Sequence, residues 1–426
     1  MKRPRISISF FLLAAPLVCS FYHHIPHSLS DSRRVPVMAI TSSKSDSSTS
    51  TPALSTPCTE QPSISGKVKT GELLSLGLDG LGKVLRGHGR AKMVWSALAA
   101  GMDPFSDEGS RAFLTPKTVE ILKHAVEELP WQVVSESVSR CGTRKLLIRL
   151  EDGLDVETVV IPCVTGTRST VCISSQVGCI RNCQFCMTGK MGLVRNLTAG
   201  EILAQVFFAR RAVRLHQMPP LTNAVYMGMG EPLDNFSAVL CSLDILRHPH
   251  AFAMAKSKIS VSTVGPSPSA IRKMAAMPSR LAWSVHAATD EVRRLLVPTT
   301  TYSMEELRDA FAEVFHARRS EHLFVEVVLI RGVSDTPEMA RALAALLRPL
   351  PTRASINLLP LNDTGHPSFR ASTTEAVLAF RNILLEEGFV TTIRTARGDE
   401  RSSACGQLAT SASGERRQRE RKGLQQ

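Results

Sequence analysis

The sequence predicts an α/β protein built on six successive β-strand and α-helix units, preceded by a small helical domain and a linking β-hairpin. Three observations predict it. From Ser169 onward the β-rich runs STVCIS, NAVYMGM, KISVSTV, LAWSVHA, LFVEVVLI and ASINLLPL alternate with stretches of helical periodicity, the pattern of a parallel sheet with helical crossovers. Between Lys145 and Pro162, KLLIRLEDGLDVETVVIP reads as two β-rich runs separated by Glu151-Asp152-Gly153, a hairpin signal. From Gly71 to about Pro130, segments such as Arg90 to Ala100 and Val119 to Leu129 place apolar residues at helical spacing between Gly and Pro breaks.

Composition bounds the rest. With 426 residues and 43% hydrophobic content the chain can bury a real core, which excludes wholesale disorder. No charge-free apolar window of about 18 residues follows the first twenty-odd positions, so a polytopic membrane protein is excluded and no stable membrane association is expected. The 51 Lys+Arg against 38 Asp+Glu favour a polyanionic partner, nucleic acid first, although part of that charge lies in the two ends.

Lys2, Arg3 and Arg5, an apolar run from Ile6 to Val18, and small residues around Cys19 and Ser20 have the form of a signal peptide. Phe21 to about Pro62 is rich in Ser, Thr and Pro and poor in acids, which suits a transit peptide. Together they resemble the two-part leaders of proteins sent to plastids that lie inside the endomembrane system. Residues 1–65 are read as this leader, with mitochondrion and cytoplasm as alternatives. Secretion is disfavoured by clustered thiols suited to a metal. The remaining boundaries are 66–135 for the helical domain, 136–165 for the hairpin, 166–410 for the core and 411–426 for a basic, solvated tail.

Thr198 and Glu201 form a capping box that opens the first core helix. The Cys-rich segment before it is therefore the long loop after the first strand, where α/β folds of this sort place active sites. Of ten cysteines, Cys172, Cys179, Cys183 and Cys186 fall within fifteen residues. Cys19, Cys58, Cys141, Cys163 and Cys241 are read as leader, loop or core residues without a chemical role. Cys179, Cys183 and Cys186 follow Gly178, which lets the loop bend. Structural zinc wants four ligands in two pairs, and no second CxxC or HxxxH completes such a set. Three thiolates suit a 4Fe-4S cluster with one open iron, which can chelate a small molecule and pass it an electron. Zinc or a purely structural cluster is the bland alternative.

Gly228-Met229-Gly230-Glu231-Pro232 ends the run NAVYMGM. Glycine permits close backbone approach to a ligand, and a carboxylate there can hold an ammonium group; alone, this would be only a turn. Ser262, Ser284, His286 and Asn357 sit in or near the ends of later strands. Each by itself is an ordinary satisfied polar residue, and together they ring the mouth of the fold. Cys405, in RTARGDERSSACGQLA after the last β-like run, has Arg394, Arg397 and Arg401 nearby, and neighbouring cations favour a thiolate nucleophile. A lone cysteine is otherwise inert more often than not.

CISSQVGCIRNCQFCMTGKMGLVRNLTAGEI, MGMGEP, the Ser-x-His strand end and RGDxxxxACGQL resemble the RlmN/Cfr family of radical S-adenosylmethionine (SAM) RNA methyltransferases, and within it the RlmN branch. The likeness runs from about Leu74 to Ala409, and GRAKMVWSALAAGM looks like the family's helical accessory region. The resemblance implies a radical SAM partial (βα)6 barrel with a 4Fe-4S cluster on Cys179, Cys183 and Cys186. It implies SAM contacts at Gly230, Glu231, Ser262, Ser284, Val285, His286 and Asn357. It makes Cys405 the methyl-carrying cysteine, Cys172 its resolving partner and Glu157 the proton-accepting carboxylate. Two extra residues between Glu157 and Cys172, and Arg401-Ser402-Ser403 before ACGQL, depart from the family pattern.

The implied activity is methylation of adenine C2 in large-subunit rRNA, with tRNA as a second candidate substrate. That carbon is electron-poor and cannot attack the SAM methyl group as a nucleophile, so a radical route is required. Two SAM molecules are used per turnover, one to methylate Cys405 and one to generate a radical that takes a hydrogen from the new S-methyl group. After addition to the base, Cys172 displaces the product and forms a disulfide with Cys405 that must be re-reduced. A flavodoxin or ferredoxin is the expected electron donor, and a monomer the expected state. Phosphate contacts from Lys and Arg are expected to supply most of the RNA affinity, with the target base unstacked. A Cfr-like adenine C8 methyltransferase and a catalytically inactive RNA-binding Fe-S protein are the alternatives.

Overall fold

The computed structural model describes residues 68, 70–319, 321–362, 366–394 and 407–408. They fall within one compact unit, Cys58–Gln426. The expected leader, the basic tail and Cys405 lie outside the described residues.

Five helices come first: α1 (Thr70–Leu73), α2 (Gly77–Val84), α3 (His88–Ala99), α4 (Asp107–Phe113) and α5 (Pro116–Ala125). The helix expected from Val119 starts earlier because Thr115 caps it through the Thr118 N–H and Pro116 supplies a preset first residue. It stops at Ala125, where Val126 turns extended and bridges to Val68. Leu81, Trp95, Leu98 and Leu122 are fully buried between these helices and the rest of the chain.

The expected hairpin is present as β2 (Arg144–Arg149) and β3 (Asp155–Pro162), antiparallel, with Gly153 at φ +79° in the connecting turn. A third strand, β1 (Gln132–Val138), precedes it and pairs with β2. β1 was not expected: all seven of its residues are exposed, so it lacks the alternation that marks a half-buried strand. β3 pairs antiparallel with β4 (Ser169–Cys172), which makes the hairpin continuous with the main sheet.

The core follows as expected. After β4 come a small ribbon of β5 (Gln176–Gly178) and β6 (Leu193–Asn196) that brackets α6 (Met187–Met191), and then α7 (Ala199–Leu215). The Thr198–Glu201 capping box opens α7. The chain then alternates through β7 (Leu221–Tyr226), α8 (Phe236–Arg247), β8 (Ile259–Thr263), α9 (Pro268–Lys273), β9 (Arg280–Ser284), α10 (Asp290–Leu296) and α11 (Met304–Ala317). It ends through β10 (Leu323–Leu329), α12 (Pro337–Leu347), β11 (Ala354–Pro360), α13 (Thr374–Glu386) and β12 (Val390–Ile393). The strand order is β1-β2-β3-β4-β7-β8-β9-β10-β11-β12, and from β4 onward the neighbours are parallel. This is a partial (βα)6 barrel extended at both edges. Parallel strands carry helices on their faces, so β8 to β11 read as near-continuous apolar runs, and Trp283 of β9 stacks on Phe311 of α11 at 4.9 Å. Among the described residues no helix is long and apolar enough to cross a membrane.

Candidate active site

The loops at the carboxyl ends of the parallel strands enclose an open-mouthed cavity. Cys179, Cys183 and Cys186 line it together with Cys172. Gly230, Glu231, Ser262, Ser284 and His286 line it from the ends of the next three strands. Residues that lie far apart in sequence thus share one space.

The three-thiol loop is pinned on several sides. The Cys179 N–H donates to the Gly192 carbonyl at 3.0 Å. Gly178 sits at φ +77°, and a Cβ there would lie 1.9 Å from the Gly192 oxygen, so no other residue fits. Arg181 forks onto the Asp234 carboxylate at 2.7 and 2.6 Å, the Gln184 N–H donates to the Leu296 carbonyl at 3.0 Å, and Thr299 Oγ1 donates to the Arg181 carbonyl at 2.8 Å. Burial pushes the Cys179 thiol up to about 12. Burial, reinforced by Cys186 and Cys179, raises Cys183 further. Such thiols surrender their protons only to a centre that takes up the negative charge.

The turn after β7 is held by the segment after β4. Ser174 Oγ donates to the Glu157 carbonyl at 2.7 Å and accepts from the Met229 N–H at 2.9 Å. Gln176 Oε1 accepts from the Glu231 N–H at 2.9 Å. Glycine is needed at two positions of this turn on steric grounds as well. A Cβ on Gly228 would stand 2.7 Å from Ser174 Oγ, and one on Gly230, at φ +101°, would stand 2.7 Å from the Gln176 Cβ. They make room for neighbouring protein. The Glu231 carboxylate accepts from the Leu233 and Val264 N–H groups, each at 3.0 Å, and burial raises it to about 7.

Ser262 and Ser284 share a hydroxyl hydrogen bond of 2.9 Å. His286 stands at φ +57° and accepts the Val328 N–H on Nδ1 at 3.3 Å, which leaves the ring proton on Nε2. Its edge meets Phe185, between two of the clustered cysteines, at 4.7 Å. Burial, with Arg293 adding repulsion, pushes His286 down to about 3, so the ring is neutral.

Val285, Asn357 and Glu157 do not line the cavity. The Val285 N–H donates to the Glu326 carbonyl at 3.0 Å, and its own carbonyl accepts from Arg293 at 2.5 Å. Asn357 donates to Glu326 Oε1 at 3.0 Å and accepts from Thr392. Glu157 is buried on β3 and accepts from Lys145 Nζ at 2.7 Å. It shares a face with Val159, the register partner of Cys172. Leu408 lines the cavity, and its carbonyl accepts from Thr188 Oγ1 at 2.5 Å.

Residues 173–343 match the Radical SAM superfamily. The chain is 42% identical to the dual-specificity RNA methyltransferase RlmN of Marinobacter nauticus over 297 residues, 68% of this chain and 78% of that protein. It is 40% identical to the protein of the same description from Dinoroseobacter shibae over 298 residues, 68% of this chain and 75% of the relative. The chain belongs to the RlmN family. A solved radical SAM methyltransferase from Sphaerobacter thermophilus superposes with a TM-score of 0.71 at 36% identity, covering 79% of this chain and 98% of that one.

RlmN-family membership brings a 4Fe-4S cluster and SAM, and the residues present fit both. A single zinc needs its sulfurs about 2.3 Å from one centre, and among the described residues no three His, Cys, Asp or Glu side chains converge on one ion. Three thiols along one cavity wall, Cys179 and Cys183 buried and Cys186 partly so, suit a multi-iron cage. The neighbouring carboxylate, hydroxyls and neutral imidazole suit a ligand carrying amino, hydroxyl and aromatic groups.

Sequence reasoning missed two buried residues of this RlmN-family site. Arg293 on α10 donates to the Ser284, Val285 and Val264 carbonyls and so clamps the ends of β8 and β9 together. In DEVRRLL it looks like one of two surface arginines. Gln205 on α7 receives the Ser174 N–H at 2.8 Å and donates to the Ser174 carbonyl at 2.8 Å, which fixes the start of the loop that leads to the thiols.

Proposed function

We propose that the protein methylates C2 of adenine in large-subunit rRNA, with tRNA as a second substrate, through an S-methylcysteine on Cys405. The observation that carries this reading is a shared cavity. Cys172 lines it with Cys179, Cys183 and Cys186, and so do Arg394 and Leu408 on either side of the segment bearing Cys405. When bound, the cluster and SAM supply an electron, a methyl group and a hydrogen-abstracting radical.

The chain's own residues do the rest. Cys179, Cys183 and Cys186 hold the cluster. Gly230, Glu231, Ser262, Ser284, Val285, His286 and Asn357 hold or support SAM, with Glu231 accepting from its amino group. Cys405 carries the carbon to the base, and Glu157 takes the proton from C2 as the adduct gives up one electron to the bound cluster. The Cys172 thiolate then attacks the Cys405 sulfur. The bond from that sulfur to the transferred carbon breaks, the carbon keeps the electron pair and gains a proton, and a disulfide forms. A two-electron reductant restores both thiols. By the same family reading the protein works as a monomer and takes electrons from a flavodoxin or ferredoxin; the signal-like and transit-like composition of residues 1–65 supports delivery to a plastid.

The test is nucleoside mass spectrometry of a large-subunit RNA transcript incubated with the anaerobically reconstituted protein, SAM and a reductant. 2-Methyladenosine is expected. 8-Methyladenosine, or no methylated adenosine, overturns the assignment. Imaging a fluorescent fusion of the first 65 residues tests delivery, and a signal outside plastids contradicts it.

A further inference from the structure

Glu326 lies in the middle of β10, lines the cavity and is 6% exposed. Its Oε1 accepts from Asn357, while its Oε2 is buried without a hydrogen-bond partner. Both oxygens of Glu231, in the same cavity, are taken by backbone N–H groups. A buried carboxylate oxygen without a donor is costly, and its place on a cavity wall is explained by a ligand that brings the donor.

The register of the sheet says which ligand group. Glu326 stands directly beside Ser284 on β9 and Asn357 on β11. Ser284 is bonded in turn to Ser262 on β8. Three polar side chains thus form one row across three adjacent strands, with Ser262 of the next strand hydrogen-bonded to its end, and Glu326 is its carboxylate. Ser262, Ser284 and Asn357 belong to the SAM site proposed above, on which this inference rests. SAM offers three kinds of donor. Its amino group goes to the Glu231 and cluster side. Its adenine amine adjoins a ring nitrogen whose lone pair a carboxylate repels. Its ribose presents two adjacent hydroxyls with no such neighbour, and a carboxylate is the group that reads a ribose hydroxyl in dinucleotide sites.

We infer that Glu326 is a cofactor-binding residue whose Oε2 accepts a hydrogen bond from the ribose hydroxyls of SAM. Equilibrium binding of SAM and of its 2′-deoxy and 3′-deoxy analogues to the full, cluster-reconstituted chain tests this. Wild-type protein binds SAM at least about tenfold more tightly than one of the two analogues. Glu326→Gln keeps the oxygen facing Asn357 and exchanges the other for a donor. It lowers SAM affinity by a similar factor, leaves affinity for the disfavoured analogue unchanged, and keeps its iron content and cluster absorbance. Equal binding of SAM and both analogues to the wild type overturns the inference while leaving the SAM site standing, and needs no variant to fold. Retention by Glu326→Gln of the full wild-type preference overturns it as well. Absence of SAM binding to the wild-type chain overturns the underlying site reading too, so the two failures are distinct.

Discussion

Lys145 reaches across from β2 to Glu157 on β3 and donates to its carboxylate at 2.7 Å, with the two side chains only 16% and 4% exposed. The acid proposed to take a proton from the base is thus a buried carboxylate kept beside a fixed cation. Ser174 Oγ on the Glu157 carbonyl ties the same strand to the segment that starts at Cys172. Proton acceptor and resolving thiol are positioned by one short stretch of sheet.

Removing one partner of a buried pair weakens the compensation of the other's charge, and complete loss of that compensation costs about 3 to 5 kcal/mol. Lys145→Met is therefore expected to lose stability at neutral pH, by up to that amount, measured by denaturant unfolding. The double variant Lys145→Met with Glu157→Gln recovers most of the loss. A single variant as stable as the wild type contradicts the pairing.

The glycines of the turn after β7 make a second test. Gly230→Ala meets both an unfavourable backbone angle and the Gln176 side chain 2.7 Å away. Gly332, at φ +69° with nothing within 4 Å, meets only the first. Gly332→Ala is expected to cost about 1 kcal/mol, and Gly230→Ala clearly more, with displacement of the Glu231 turn and weaker SAM binding. Equal losses in unfolding experiments rule out the steric argument.

His286 and Glu231 predict opposing effects of pH on the stability of the apo chain. His286 falls from 6.5 to about 3 on folding. The unfolded chain gains a proton below 6.5 that the folded one refuses, so this stability is full above 6.5 and is lost as pH falls toward 3. Glu231 rises from 4.5 to about 7. The unfolded chain releases its proton above 4.5 while the folded one keeps it, so this stability is full below 4.5 and is lost as pH rises through 7. His286→Gln should flatten the loss of stability on the acid side of the unfolding profile, and Glu231→Gln the fall in stability as pH rises from 4.5 to 7. Parallel profiles for all three proteins contradict the assignment.

Much of this was legible in the sequence because burial and spacing leave periodic marks. The central parallel strands β8 to β10 are largely buried and read as apolar runs, and the Thr198–Glu201 box marks the start of α7 without any tertiary information. The clustered cysteines and the MGMGEP turn announced themselves by spacing and by resemblance. What stayed hidden depends on partners distant in sequence. β1 is an exposed edge strand with no alternation. Arg293 resembles its exposed neighbour Arg294 until α10 is packed against the ends of β8 and β9. Glu326 is one polar letter in LFVEVVLI, and only the register beside Ser284 and Asn357 shows what row it belongs to. The close packing of Gly228 and Gly230 against Ser174 and Gln176 was hidden for the same reason: sequence shows that room is required but not what fills it.

The two chemically active thiols give the last test. If Cys405 carries the carbon and Cys172 frees it, Cys172→Ala stops after the carbon is joined to the base, because no second thiolate attacks the Cys405 sulfur. A covalent protein–RNA complex is expected to accumulate on denaturing gels. Cys405→Ala lacks the acceptor and yields neither methylated RNA nor the complex. The double variant behaves as Cys405→Ala, since the carrier acts before the resolver. Cys183→Ala separates this chemistry from cofactor loading: it loses the brown absorbance and all SAM cleavage, whereas both thiol variants retain the absorbance. Recovery of unlinked, fully methylated RNA from Cys172→Ala would show that Cys172, beside Val159 on the cavity wall, does not supply the resolving group.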